Sequence, residues 1–174
     1  MKSDYRVRAQ KFLKQVWPYL SYVNMEDIDS VQEAVNEFLR DHPSRRVKVF
    51  AGSARIALIT SDYVIKWDYD EDNVSEIGGC SAEVDVYQRV KQAGFSYLFA
   101  EVTPVFYKGY GFVIMPKIAE VEKRKEDIRY YLNYAERQFI KSIHLTDLHS
   151  YNWGMKNGYP VIIDYAYISD YDED

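Results

Sequence analysis

The spacing of apolar side chains along this chain changes from helical to strand-like near residue 46. Before that point, segments 5–22 and 28–39 carry apolar residues three or four positions apart, the period of a helix with one buried face. Pro18 is expected to kink or end the first helix. The run from Asp41 to Ser44, which contains Pro43, is expected to end the second helix. The chain therefore begins with two amphipathic helices.

After residue 46, short apolar runs separated by turn residues predict strands. These strands are expected at 47–50, 56–59, 63–67, about 97–107 and 111–116. Helical spacing returns in two places, at 81–93, where Gly94 ends the helix, and in a long charged segment at 120–142. The pattern predicts an α+β fold with an antiparallel sheet.

The end of the chain carries the clearest turn signal. Asn157-Gly158 lies between the apolar runs Trp153–Lys156 and Val161–Ile163, and Asn-Gly in that position is typical of a two-residue β-hairpin. Asp164 follows directly after the second strand. The hairpin therefore places a carboxylate at its end.

Composition narrows the classes of function. The formal net charge is −5, so the chain lacks the excess of positive charge that is typical of nucleic-acid-binding proteins. This net charge does not exclude a local basic patch. Cys80 is the single cysteine, which excludes an internal disulfide and fits a reducing compartment. No apolar run has the length of a signal-peptide core or a membrane helix. We expect a cytoplasmic protein without nucleic-acid or membrane partners.

Five polar residues stand in an order that suits phosphoryl transfer. Such chemistry needs a cation on the phosphates, oxygen ligands for magnesium and a carboxylate that orients the nucleophile. The candidates, in chain order, are Lys66, Glu83, Asp147, Asn152 and Asp164. Taken singly, the first two could form a surface ion pair and the others could cap turns. Their joint order favours a nucleotide site.

Four short motifs carry a resemblance to a known family. They are VIK at 64–66, AEVDVY at 82–87, DLHSYN at 147–152 and IIDYA at 162–166. In this order they resemble the protein-kinase-like superfamily, and most of all the small serine/threonine kinases encoded by phages. The Asp-x-His-x-x-Asn pattern is also distantly similar to aminoglycoside and choline kinases. The resemblance implies a kinase-like fold that binds ATP and Mg²⁺ between two lobes.

The resemblance also implies three regions. Residues 1–45 would be a helical extension, 46–118 an N-lobe with an antiparallel sheet and one helix, and 119–174 a strongly truncated helical C-lobe with the catalytic loop. The chain stops where a longer kinase continues into its substrate-binding helices. The C-lobe would therefore be stunted, rebuilt from residues 1–45, or completed by another chain.

The family pattern assigns roles to the five polar residues. By resemblance, Lys66 binds the α- and β-phosphates, Glu83 holds Lys66, Asp147 is the catalytic carboxylate, and Asn152 and Asp164 bind magnesium. Glu76 competes for the role of Glu83, which is preferred because it shares a helical stripe with Tyr87 and Val90. His149 is expected to form structural hydrogen bonds in the loop.

The expected ATP-binding residues outside this set are Gly52, Ser53, Met115 and Lys117. Gly52 and Ser53 belong to the turn that stands where a kinase has several glycines, whereas this chain has one. Met115 and Lys117 belong to the expected adenine hinge at 114–117. A further departure is Leu145-Thr146-Asp147 in place of His-Arg-Asp, so phosphorylation of an activation loop is not expected.

Three functions follow in order of preference. The first is an ATP- and magnesium-dependent phosphotransferase that acts on serine or threonine of a protein substrate. The alternative is a catalytically weak or inactive kinase-like module that inhibits or recruits a target protein, which would be a host protein in the host cytoplasm if a phage encodes the chain. The third is a small-molecule kinase.

Overall fold

The structure, a computed structural model, describes residues 4–52, 54–69, 79–119 and 127–166. Within these residues it contains four α-helices: α1 Tyr5–Leu20, α2 Ile28–Asp41, α3 Cys80–Gln92 and α4 Tyr134–Ser142. The strands are β1 Lys48–Ala51, β2 Arg55–Ile59, β3 Tyr63–Asp68, β4 Thr103–Tyr107, β5 Tyr110–Pro116, β6 Trp153–Lys156 and β7 Tyr159–Ile162. The expected α+β class is confirmed.

The main sheet has five antiparallel strands in the order β1-β2-β3-β5-β4. Strand β3 lies at its centre, where Lys66 is opposite Ala57 of β2 and Val113 of β5. Strands β4 and β5 are joined by Lys108 and Gly109, which both have positive φ, as a tight hairpin turn requires. The expected antiparallel sheet is confirmed.

The chain forms two compact units. The first, the sheet unit, contains residues 1–76 and 102–117, and the second, the hairpin unit, contains residues 77–101 and 118–174. Helix α3, which lies within the region 46–118 of the expected N-lobe, belongs to the hairpin unit.

The two N-terminal helices complete the core of the sheet unit. Helix α1 contacts β3 and β5, and α2 contacts α1 and β1. Phe12 and Phe38 are fully buried and meet edge to face, with ring centroids 5.6 Å apart. Trp67 of β3 is also buried, and its indole N–H donates to the Met25 carbonyl at 2.9 Å. Residues of the expected helical extension therefore bury the apolar face of the sheet.

Pro18 does not end α1, because the helix continues to Leu20. Only two helical residues follow Pro18, so the missing N–H removes a hydrogen bond in the last turn of the helix alone. The start of α1 is capped by Asp4, whose carboxylate accepts from the amide of Arg6 at 3.0 Å.

The prediction of one helix over 120–142 is wrong for its described part, and residues 120–126 lie outside the described residues. A short 3₁₀ helix spans Ile128–Tyr130, and α4 begins only at Tyr134. Asn133 caps α4 by accepting from the amide of Glu136, whose carboxylate accepts from the Asn133 amide at 2.7 Å. This reciprocal capping box, visible in the sequence as Asn-x-x-Glu, sets the start of the helix.

The strand expected over about 97–107 begins later, at Thr103. Residues Ser96–Leu98 form a 3₁₀ helix, and Phe99 forms an isolated parallel bridge with Ile162 of β7. The amide of Ala100 donates to the Ile162 carbonyl at 2.8 Å. The apolar residues 98–100 thus belong to the hairpin unit, because Phe99 and Ala100 contact Ile162 of β7 through their backbones.

The C-terminal hairpin matches its prediction. Strands β6 and β7 pair with Trp153 opposite Ile162, and Asn157 and Gly158 form the turn with φ of 53° and 83°. Both central residues of a type I′ turn need positive φ, which Asn and Gly adopt most readily.

Gly154 of β6 lies against the chain segment that precedes residue 120. A Cβ atom at this position would lie 2.5 Å from the carbonyl oxygen of Ala119 and 2.9 Å from Cγ2 of Ile118. That carbonyl already accepts from the Met155 amide at 3.1 Å. The close approach of the two backbones therefore requires glycine.

We expect Gly154→Ala to lower the free energy of unfolding by about 1–3 kcal/mol, the usual cost of forcing extra volume into a packed site. Urea denaturation of the variant and the natural chain would measure the change. Gly111→Ala is the matched control, because Gly111 also lies in a strand and a Cβ there would meet no atom within 4 Å. Equal losses in both variants would contradict the packing explanation.

Candidate active site

The loop between α4 and β6 starts from a well-defined point. His144 adopts a left-handed conformation with φ of 53°, and its amide donates to the Lys141 carbonyl at 3.0 Å. The next residue, Leu145, is buried and donates its amide to the Ile140 carbonyl. This ending, typical of helix C-termini, turns the chain away from α4 two residues before Asp147.

Hydrogen bonds join Asp147, Asn152 and Asp164 in one network. The side-chain amide of Asn152 donates from Nδ2 to the backbone carbonyl of Asp147 at 2.9 Å. The backbone carbonyl of Asn152 accepts from the amides of Ile163 at 2.7 Å and Asp164 at 3.3 Å. Asn152 therefore fixes the backbone of Asp147 relative to the backbone of Asp164.

The orientation of the Asn152 side chain has a chemical consequence. Because Nδ2 donates to the carbonyl of Asp147, the position of the amide oxygen Oδ1 is also fixed. This oxygen accepts no hydrogen bond from the described residues. Asn152 is 7% exposed, so the packing around it holds this orientation. The side chain thus offers a fixed oxygen ligand.

His149 contacts the expected catalytic carboxylate. Its Nε2 lies 3.2 Å from Oδ1 of Asp147, and its Nδ1 accepts from the backbone amide of Tyr151 at 3.3 Å. Since Nδ1 is an acceptor, the proton of the neutral ring is on Nε2 and points at the carboxylate. The expected structural hydrogen-bonding role of His149 is confirmed, with the addition that one partner is Asp147 itself.

Tyr165 anchors the chain directly after Asp164. It is almost fully buried, its hydroxyl donates to the Ala100 carbonyl at 2.6 Å, and its ring meets Phe99 edge to face at 5.2 Å. Sequence reasoning included Tyr165 only as part of the motif IIDYA and missed this positioning role. The signal was present in the apolar run 161–163, which resumes directly after Asp164 with Tyr165 and Ala166.

Asn152 and Asp164 suit magnesium by the chemistry of their donor atoms. Amide and carboxylate oxygens are hard ligands, and Mg²⁺ in nucleotide sites is usually held by one or two protein groups, with water and phosphate oxygens completing the shell. Within the described part of the chain, no three His, Cys, Asp or Glu side chains gather as a metal-binding group. A two-ligand magnesium site of this kind does not require such a group.

Lys66 and Glu83 are buried ionisable side chains in different units. Lys66 of β3, in the sheet unit, is 8% exposed, and Glu83 of α3, in the hairpin unit, has no exposed surface. Lysine and glutamate are almost never fully buried unless they are paired, because desolvation of an isolated charge is very costly. Both residues therefore differ from ordinary surface charges.

The turn between β1 and β2 contains the expected phosphate-contacting residues. The amide of Gly52 donates to the Arg55 carbonyl at 2.8 Å, and its carbonyl accepts from the Tyr69 hydroxyl at 2.9 Å. The Gly52 amide is thus engaged within the turn. Ser53 lies outside the described residues.

The expected adenine hinge lies at the end of β5. Met115 of β5 is buried and pairs with Val64 of β3. The pairing of β5 with β4 ends one residue earlier, at Ile114. The Lys117 amide donates to the Asp62 carbonyl at 2.9 Å. Backbone recognition at Lys117 would therefore use its carbonyl oxygen.

Comparisons with known proteins add no family assignment: no protein-family model matches the chain, and no curated protein matches its sequence. None of the helices in the described ranges is long and apolar enough to cross a membrane. The functional interpretation therefore depends on the residues of the site and on the resemblance of their motifs.

Proposed function

We propose that this protein is an ATP- and magnesium-dependent phosphotransferase with a kinase-like fold, and that it acts on serine or threonine of a protein substrate. The observation that carries the proposal is the network of Asp147, Asn152 and Asp164. A loop carboxylate, an amide ligand five residues later and a carboxylate after the next hairpin are the parts that kinases use at their reaction centre.

In the proposed reaction, Asp147 orients the substrate hydroxyl and receives its proton as the oxygen attacks the γ-phosphorus of ATP. The bond between this phosphorus and the β,γ-bridging oxygen breaks, and ADP is the leaving group. The carboxylate is suited to this task because it is about half exposed and is held by the Nε2–H of His149. Asn152 would hold the metal through Oδ1, and Asp164 would hold it through its carboxylate. When bound, Mg²⁺ neutralises charge on the phosphate oxygens.

The proposal assigns Lys66 to the α- and β-phosphates and Glu83 to the orientation of Lys66. The burial of both groups supports this assignment, since a buried lysine or glutamate indicates a built electrostatic environment. The position of Lys66 on the third strand of an antiparallel sheet agrees with the place of the phosphate-binding lysine in protein kinases. Met115 and the carbonyl of Lys117 are assigned to adenine.

The first test is thermal unfolding with ADP, with and without magnesium. A ligand present at about a hundred times its dissociation constant adds about 2.7 kcal/mol of stability. In a domain of this size, we expect the midpoint to rise by about 5–10 °C. The rise should need magnesium and should disappear in Asp164→Ala, which removes one of the two proposed metal ligands.

Asp85→Ala is the matched control, because Asp85 is an exposed carboxylate on α3 outside the proposed site. It should keep the full magnesium-dependent rise. A midpoint that does not move at millimolar nucleotide would argue against the phosphotransferase and in favour of a kinase-shaped module that binds a target protein. The engaged amide of Gly52 is the observation that favours this alternative.

A further inference from the structure

A cavity of about 570 Å³ opens in the sheet unit, and none of its lining residues is among those assigned to the nucleotide. Its walls come from the first turns of α1, from residues 44–47 between α2 and β1, and from the β2–β3 turn at 60–63. A volume of this size is in the range of small-molecule sites. The cavity is therefore large enough for an organic ligand.

The charge of the cavity is opposite to that of the protein. Four cationic side chains, Arg8, Lys11, Arg45 and Arg46, line it, whereas Asp62 is the one carboxylate among its lining residues. The whole chain has a formal net charge of −5. A concentration of positive charge in a concave site of an acidic protein attracts anions and repels cations.

The cationic side chains that line the cavity have N–H groups that are not used in contacts within the described part of the chain. Arg8 contacts Asp62 through Nη1 at 3.0 Å, while its buried Nε makes no hydrogen bond within the described part of the chain. Arg45 donates from Nη2 to Oε1 of Gln15 at 3.0 Å. Each guanidinium carries five N–H donors, so these contacts use only some of them. Lys11 makes no hydrogen bond or ion pair with the described residues.

The inner wall of the cavity is apolar. Val7, Phe12 and Val47 contribute hydrocarbon surface, and Tyr63 adds a buried ring. Burial raises the pKa of the Tyr63 hydroxyl, although the nearby positive charges of Arg45 and Arg8 act in the opposite direction. The phenol therefore stays neutral, and the two guanidinium groups are close enough to affect it.

We propose that this cavity binds an organic phosphomonoester, with the phosphoryl group among the cations and an apolar body against Val7, Phe12 and Val47. A phosphomonoester carries nearly two negative charges at neutral pH and three strong acceptor oxygens, which match several arginine N–H donors. Inorganic phosphate alone would leave most of the volume and the apolar wall without contacts. The cavity shares no lining residue with the proposed nucleotide site, so the proposal does not depend on that site.

Phenyl phosphate is the probe for this proposal, because it combines the phosphoryl group with a small apolar body. Its binding to the full chain can be measured by calorimetry without magnesium, in parallel with inorganic phosphate and phenol. We expect phenyl phosphate to bind saturably and at least about tenfold more tightly than either fragment, a ratio that corresponds to about 1.4 kcal/mol.

The double variant Lys11→Gln with Arg45→Gln removes two cations whose side chains are exposed, so the fold should be kept. We expect at least about a tenfold loss of affinity, since hydrogen bonds to charged groups are stronger than those between neutral groups. The control is Lys14→Gln with Arg40→Gln, which removes the same charge from exposed positions on α1 and α2 outside the cavity. It should bind as the natural chain does.

Three results would overturn the proposal: no saturable binding of phenyl phosphate at about 10 mM, equal affinity for inorganic phosphate, or equal losses in the pocket and control variants. Two further probes distinguish between a phosphorylated protein and a free nucleotide as the source of the phosphomonoester. Tighter binding of a phosphotyrosine peptide would assign a phosphorylated protein as the ligand. Tighter binding of AMP would assign a free nucleotide, provided that the pocket variant abolishes it.

Discussion

Asp147→Ala is expected to lower the rate of phosphate transfer by about a hundredfold to ten-thousandfold, the usual contribution of a positioned general base. The fold should survive, because the structural hydrogen bond at this residue is accepted by its backbone carbonyl, which alanine retains. Its side chain is 43% exposed and contacts His149, which is itself more than half exposed. The substitution therefore separates chemistry from stability.

Transfer of radioactive phosphate from γ-labelled ATP to a mixture of serine- and threonine-containing model proteins would measure the effect. Asp85→Ala serves again as the exposed-carboxylate control, and circular dichroism would check that both variants fold. Asn152→Ala is less informative, because it removes the buried amide that links Asp147 to the loop as well as the proposed metal ligand. Unchanged transfer in Asp147→Ala would end the catalytic assignment.

Phe38→Ala is expected to lower the free energy of unfolding of the sheet unit by about 3–5 kcal/mol, as large-to-small substitutions of buried aromatic residues do. Phe38 is fully buried, meets Phe12 and Tyr19 edge to face and stacks on His42 at 4.3 Å. Its removal leaves a cavity in the core that α1 and α2 form with the sheet. A loss of this size would show that the N-terminal helices are part of the sheet unit.

Urea denaturation followed by tryptophan fluorescence can report on this unit alone. Trp17 and Trp67 belong to the sheet unit and Trp153 to the hairpin unit, so the experiment uses Trp153→Phe as the background. Trp153 is suitable for replacement, since its buried Nε1 makes no hydrogen bond within the described residues. Phe50→Ala is the control, because Phe50 of β1 is 60% exposed and should change stability little. Similar losses from both positions would contradict the core assignment.

Local signals in the sequence were sufficient for most of the secondary structure. The helical period of α1, α2 and α3 and the Asn157-Gly158 turn placed these elements close to their observed bounds. The same signals correctly assigned Lys66 to a strand, Glu83 to a helix and Asp147 to a loop. These properties depend on residues near one another in the chain, so periodicity and turn chemistry reveal them.

Two local predictions were wrong because a competing interaction was overlooked. The helix expected over 120–142 disregarded the Asn133–Glu136 capping box, which starts α4 at Tyr134. The strand expected from about residue 97 treated the whole apolar run as one element, whereas Phe99 and Ala100 are bound to β7 through Ile162. In both cases the apolar positions were identified correctly. The interaction that sets the start of the element, a capping box in one case and contacts with β7 in the other, was not identified.

The α+β class, the terminal hairpin and the order of the candidate site residues can all be derived from the amino-acid sequence. Three other features emerge only when the chain is folded: α1 and α2 cover the sheet, Asn152 joins Asp147 to Asp164, and Arg8, Lys11, Arg45 and Arg46 line one cavity. Most of these contacts join residues that are far apart in the chain. Their partners are selected by the packing of whole elements, which local spacing does not encode.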